Sequence, residues 1–432
     1  MKMNSTNTMI CPVTFRNRFI AAILCVFAAL IMFPLNAQTA NVPREDVRNM
    51  NADWRFKKAK GVTFPLADAM KGMVKDGKQF YEPDYDDSDW QMVSVPHAVN
   101  ADDSFDSLIA DSGEQDLYRG FMFYRKEISL NGTDGKKLFL EFESVRQTVY
   151  LYVNGHFAGY YEAGVAPIGF DITPWVKPGG NLIAVATDNT ASRQMTSYVQ
   201  ETRPGHTPGD NSGVGYQWNQ KDFNPVQGGI TGNVNLYVKQ SVYLTLPLYN
   251  NLKTTGAYIT ASDFDFDRKS AVISVKAEVR NESADATDLH LKVMLADASG
   301  ASCGEAFASA PIRVVPAKDA GKVFLSAVEA DAYGQNPAPT GIHPPETLTL
   351  EVSKEISGLK FWSPESPSLY TVSVVLMRGN DILDVQTVCT GFRQVEYDRA
   401  RGGLLINGRP YYLKGYAQRS TNEWAVIGVA ND

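Results

Sequence analysis

The sequence has 432 residues, which is too long for one hydrophobic core and calls for two or three domains. Apolar residues make up 44% and aromatics 11%, while 34 Gly and 22 Pro interrupt the apolar runs, so strands and turns are expected and a helix bundle is excluded. The formal net charge of −7 argues against nucleic acid as a partner.

Residues 1–37 read as a secretory signal peptide. Arg16 and Arg18 precede an apolar run from Phe19 to Phe33, and Leu35-Asn36-Ala37 offers a small residue for cleavage before Gln38. The alternative is a retained anchor, since the run is near the lower limit for spanning a bilayer; beyond this segment no membrane contact is expected. Export implies a periplasmic or secreted protein. Loss of Lys2, Arg16 and Arg18 would take the net charge from −7 to −10. Of four cysteines only Cys303 and Cys389 would remain. Export permits a disulfide between them, but two buried thiols are the favoured reading. The five histidines are scattered without metal-ligand spacing, so neither a metal nor a cofactor is expected.

Residues 44–240 alternate apolar and polar with period two. Val149, Leu151 and Val153 would share one face of a strand and Tyr150 and Tyr152 the other, before an Asn154-Gly155 turn. No amphipathic helix is legible, and an all-β sandwich is predicted. The acids of "DYDDSDW" (Asp84, Asp86, Asp87, Asp89) and "DFDFD" (Asp263, Asp265, Asp267) lack the glycine and distal glutamate of a calcium loop and read as solvated. His97, beside Pro96 at a strand end, reads as a structural hydrogen bonder, and Trp175 as core.

From Asp188 to Gly229 the alternation stops for about forty residues. Long irregular segments are functional or disordered, and disordered ones are poor in aromatics. This one holds Tyr198, Tyr216, Trp218 and Phe223, so an ordered functional loop is expected. "GYQWNQKDFN" combines Tyr216 and Trp218 with Asp222 and Asn224. Aromatic faces stack on the C–H side of a sugar ring while carboxylates and amides bond its hydroxyls, which makes these four the candidate carbohydrate contacts.

Residues 241–393 form a second alternating unit, with Ala271 to Val279, Leu289 to Leu295 and Tyr370 to Leu376 as strands of an immunoglobulin-like sandwich. Beyond it, Leu404 to Ile406 run into an Asn407-Gly408 turn and Tyr411 to Leu413 return, a hairpin signal. A further apolar run, Trp424 to Val429, follows.

Taken in order, these segments resemble glycoside hydrolase family two, the group of β-galactosidases, β-glucuronidases and β-mannosidases. "WRF" (Trp54 to Phe56), "WQMVSVPH" (Trp90 to His97), "FYRKEI" (Phe123 to Ile128), "VNGHFAGYYEAGVAPIGFDIT" (Val153 to Thr173), "GGITGNV" (Gly228 to Val234), "FWSPESPSLY" (Phe361 to Tyr370), "GFR" (Gly391 to Arg393) and "INGRPYYLKG" (Ile406 to Gly415) carry the likeness. The resemblance implies a mainly β chain: a jelly-roll, galactose-binding-like sugar-binding domain, an immunoglobulin-like sandwich, then residues 394–432 as the truncated start of a (β/α)₈ barrel. A complete barrel needs about 250 residues. The resemblance also implies a retaining mechanism with two glutamates roughly 5–5.5 Å apart. Both belong to later barrel strands, so the catalytic set here is empty; Glu396 and Glu423 match neither position. "KDFNPVQGGI" is similar to a run whose aspartate reaches the barrel's substrate, which maps onto Asp222 with Asn224 beside it. Two departures leave the substrate open: Gly232 stands where the family has arginine, and Ala417 to Ser420 replace its N-R-H-E. The expected partners are a carbohydrate substrate and the missing barrel. The alternative is a complete non-catalytic carbohydrate-binding or adhesin-like protein.

Overall fold

The computed structural model describes residues 45–59, 66–99, 118, 120–146, 148–162, 166–188, 228–249, 251–321, 345–400 and 402–416. Residues 1–37, the candidate signal, lie outside this set. Among the described residues no helix is long and apolar enough to cross a membrane.

The first sandwich packs two antiparallel sheets face to face. One has four strands in the order Val47–Asn49, Val234–Gln240, Lys136–Phe142, Ile168–Asp171. The other has six: Gln91–Val93, Trp54–Lys58, Phe121–Leu130, Gly179–Asp188, Thr148–Val153, His156–Glu162. Inward side chains of both, among them Trp54, Tyr124, Leu140, Val149, Leu151, Val153 and Leu236, make one core. Asn154 and Gly155 both adopt positive φ, 50° and 86°, and close the hairpin between Val153 and His156 as an Asn-Gly pair should.

Every side chain of strand Thr148–Val153 is buried, on both faces. Tyr150 and Tyr152 point away from the main core into a second cluster with Phe121, Phe123 and Tyr160, roofed by Ala69, Met70, Met73, Phe80, Tyr85 and Trp90. That roof contains a six-residue helix, Leu66–Lys71, which the sequence reading did not anticipate. A helix this short spans less than two turns, so it has no periodicity to recognise. Arg125, only 2% exposed, rises from the sheet and holds the roof in place. It donates to the carbonyls of Phe80, Glu82 and Tyr85 and pairs with Asp87 at 2.7 Å.

As read from the sequence, Asp84, Asp86 and Asp89 are exposed to solvent, with Asp87 half-buried, and each exposed one also meets a lysine. Lys78 pairs with Asp84 at 2.7 Å, Lys75 with Asp86 at 2.6 Å, and Lys57 with Asp89 at 2.7 Å. Hydrogen bonds from Lys78, Lys75 and Lys57 are the main force holding the three carboxyls below their usual range. In "DFDFD" the acids stay exposed or half-buried, and Asp265 accepts from the backbone of Asp267 and Arg268 in a turn.

The second sandwich pairs Ser270–Asn281 with Val242–Leu244, Ala257–Asp265 and Leu348–Ile356 in one sheet. Thr287–Asp297 pairs with Phe307–Ala308, Ile312–Val314 and Tyr370–Arg378 in the other, and Asp381–Thr390 joins at its edge. Ile273, Val275, Ala277, Leu291, Val293, Val372 and Val374 form the core between them. Cys303 and Cys389 are free thiols, but Cys303 is half-buried and Cys389 exposed, so the expectation of two buried thiols is wrong. Cys389 lies on the outer face of the edge strand, the same face as Val385 but nearer the strand's end, away from the core between the sheets.

A charged seam joins the sandwiches. Lys239, its side chain 1% exposed, pairs with Glu45 at 2.8 Å and with Asp384 at 3.1 Å. Asp384 also accepts from the backbone N–H groups of Leu244 and Val385. Burial raises the Asp384 carboxyl, with Lys239 pulling the other way. Nearby, Lys137 bridges Asp171 at 2.5 Å and Glu282 at 3.1 Å. Asn251 bonds both backbone groups of Gly169, and Leu248 packs so tightly on Gly169 that a Cβ there would collide with its methyl group.

A three-stranded sheet, Val395–Asp398, Gly403–Ile406 and Arg409–Tyr411, follows the second sandwich. Asn407 and Gly408 take positive φ at its turn, as their sequence predicts. Val395 and Tyr397 on this sheet, and Tyr412, Leu413 and Tyr416 after it, are all more than half exposed.

Candidate functional site

The four candidate sugar contacts, Tyr216, Trp218, Asp222 and Asn224, lie outside the described residues. What the structure shows is how their loop is anchored. The preceding strand ends at Asp188, opposite Phe121. The chain resumes at Gly228, four residues after Asn224.

Both anchors meet at Arg146. Its carbonyl oxygen accepts from Thr187 Oγ1 at 3.3 Å, on the side entering the loop. The same oxygen accepts from the Gly229 N–H at 3.1 Å, on the side leaving it, and the Arg146 N–H returns a bond to the Gly229 carbonyl at 2.9 Å. The Arg146 carbonyl thus ties together Thr187 and Gly229, described residues on either side of positions 189–227. The Arg146 guanidinium is buried, and that burial lowers its pKa.

The leaving strand is secured twice more. His97 N–H donates to the Ile230 carbonyl at 2.7 Å and Val99 N–H to the Gly228 carbonyl at 2.8 Å. His97 Nδ1 sits 2.8 Å from the Tyr124 hydroxyl, so the histidine is the structural hydrogen bonder its sequence suggested. Burial pushes the Tyr124 phenol far above its ordinary range, and it stays protonated. Gly229 has φ +112°, and a Cβ there would lie 2.5 Å from the His97 carbonyl oxygen and 2.6 Å from the Tyr124 hydroxyl. Only glycine fits. Gly232 is equally confined, since a Cβ would lie 2.6 Å from the Ser144 nitrogen. A side chain at position 232 would require the backbone of Ser144 to move.

The clamp at Arg146, Thr187, His97 and Gly229 was not singled out from sequence, because its members come from four separate segments. Gly228-Gly229 was the one available signal. Of the other candidates, Trp175 packs half-buried against the core. Glu396 is exposed and accepts from Gln394; Glu423 lies outside the described residues. Among the described residues no group of three or more His, Cys, Asp or Glu is placed to hold a metal.

Comparison with known proteins identifies what this anchored loop belongs to. The family model "Glycosyl hydrolases family 2, sugar binding domain" matches residues 47–239, and "Glycosyl hydrolases family 2" matches residues 257–393. The chain belongs to glycoside hydrolase family 2. It is 31% identical over 386 residues to a β-glucuronidase of Formosa agariphila, an alignment covering 88% of this chain and 33% of that protein. It is 27% identical over 381 residues to a β-galactosidase of Thermoanaerobacter pseudethanolicus, covering 87% and 39%. Among solved structures, a family 2 β-glucuronidase superposes with a TM-score of 0.64 at 26% identity, covering 86% of this chain and 33% of that one. The chain thus spans about a third of the length of the family 2 relatives it matches. The clamped loop falls wholly within the matched sugar-binding domain.

Proposed function

We propose that this chain is the substrate-recognition portion of an exported, retaining β-glycosidase, and that its anchored loop contributes sugar contacts to an active centre completed by a barrel. Asp222 and Asn224 hydrogen-bond substrate hydroxyls, and Trp218 and Tyr216 offer ring faces. The paired glutamates that perform double displacement, roughly 5–5.5 Å apart in a retaining site, come from the barrel. The 432 residues alone bind carbohydrate and do not hydrolyse it.

The observation that carries this reading is the clamp. A segment of about forty residues that carries Tyr216, Trp218, Asp222 and Asn224 is flanked by Thr187 and Gly229, which both bond the Arg146 carbonyl, within the region matching the sugar-binding domain. Binding residues sit on loops positioned by a stiff scaffold. The exposure of Val395 and Tyr397, on one face of the C-terminal sheet, supports a further domain as neighbour, because exposed apolar surface marks an interface.

The test is glycan binding by the purified full chain, measured by calorimetry on β-linked oligosaccharides. Asp222→Ala and Trp218→Ala should each weaken binding about tenfold or more, since a lost charged hydrogen bond or aromatic contact is worth about 1.5 kcal/mol or more. Unchanged affinity in both variants would remove the loop from the account.

A further inference from the structure

A second surface with binding chemistry lies between the immunoglobulin-like sandwich and the C-terminal hairpin. It is a groove of about 670 Å³, within the range of small-ligand sites, about 300–1,000 Å³. Asn407 fixes its two walls relative to each other. Its side chain donates to the Trp362 carbonyl at 2.9 Å and accepts from the Gln394 N–H at 3.0 Å, while Gly408 sits against Phe266. The groove is therefore built by specific bonds.

Three cations, Lys269, Lys360 and Arg409, line it against a single acid, Glu365. All three are exposed, and none forms an ion pair among the described residues; Lys360 exerts only a longer-range pull on Asp297. They gather three to one against acid in a chain whose net charge is −7, whereas the roof and seam lysines are offset by carboxylates. Phe266, Phe361 and Tyr411 line the same groove. The first two rings meet edge to face with centroids 5.4 Å apart, and Phe266 remains 37% exposed.

We propose that this groove binds an anionic oligosaccharide, one whose sugar rings carry carboxylates. The unpaired cations supply charge complementarity, with Arg409 able to grip a carboxylate by two parallel bonds. The aromatic side chains supply faces for the apolar side of the rings. The net negative charge disfavours nucleic acid, and the sugar-binding domain in the same chain favours a glycan over an acidic peptide. The groove shares no residue with the anchored loop, so the two readings stand or fall separately.

The experiment is calorimetric titration of the full chain with tetragalacturonate and with its fully methyl-esterified form, which has the same rings without the charge. The acid should bind at least about tenfold more tightly than the ester, and its affinity should fall as salt rises. Lys269→Gln/Lys360→Gln/Arg409→Gln should weaken acid binding about tenfold, while Asp222→Ala leaves it in place. Should the triple variant fold poorly, the ester comparison and salt dependence of the unaltered chain decide alone. Equal affinity for acid and ester, an unaffected folded triple variant, or equally tight binding of oligoglutamate would each overturn the proposal.

Discussion

Lys239 offers the sharpest probe of how the two sandwiches are joined. Its ammonium is 1% exposed and serves two carboxylates, Glu45 at 2.8 Å and Asp384 at 3.1 Å, whose side chains are 17% and 8% exposed. Lys239→Met keeps the bulk and removes the charge, leaving Asp384 buried without a cation. Breaking a buried pair in this way costs about 3–5 kcal/mol. Asp384 keeps its bonds from Leu244 and Val385 at 2.9 and 2.8 Å, so the lower end, about 3 kcal/mol, is expected. Urea denaturation of the full chain, followed by tryptophan fluorescence, reads this directly. The loss should also depend on pH. Burial already raises the Asp384 carboxyl above its unfolded value, and removing Lys239, the main opposing influence, raises it further. A raised carboxyl favours folding below its unfolded pKa, and that advantage is lost as pH rises through the folded value. The deficit of the variant should therefore be largest at neutral pH and shrink on acidification. In a double-mutant cycle with Asp384→Asn, coupling of about 2 kcal/mol is expected. Additive costs, or a deficit that does not change with pH, would refute the seam as described.

Three further substitutions test other parts of the account. Gly169→Ala drives a methyl into Leu248 at the domain junction and should lower stability by about 1–3 kcal/mol in a thermal melt, with Leu248→Ala in the same chain relieving the clash. Gly229→Ala forces both a positive φ and contact with His97 and Tyr124; it should weaken glycan binding more than it lowers stability, because it displaces the anchor of the loop. Arg125→Met removes the bonds that hold the aromatic roof and leaves three carbonyls without their donor, so a loss of about 3 kcal/mol and faster proteolysis between residues 66 and 90 are expected.

Much of the fold was legible because its signals are local. Val149 to Val153 alternate with period two, and the structure sends valines and leucine to one core and tyrosines to another. Asn154-Gly155 and Asn407-Gly408 close hairpins because both residues of each pair take positive φ. What escaped depends on distance along the chain. Asp84, Asp86 and Asp89 are neighbours in sequence, but Lys57 reaches Asp89 across 32 residues and Arg125 reaches Asp87 across 38. The clamp assembles His97, Arg146, Thr187 and Gly229 from strands that only the folded sheet brings together. The close approach of Ser144 to Gly232 is likewise invisible in the sequence. For the candidate contacts themselves, composition supplied the chemistry and the structure supplied the anchors.

The central claim is that these residues recognise substrate while another part of the protein cleaves it. Hydrolysis of 4-nitrophenyl β-D-glucuronide and β-D-galactoside by the purified 432-residue chain tests it most directly. No release of nitrophenol above the uncatalysed rate is expected, even where glycan binding is measurable. Turnover that disappears when Glu396 or Glu423 is changed to Gln would contradict the claim and place the chemistry within this chain.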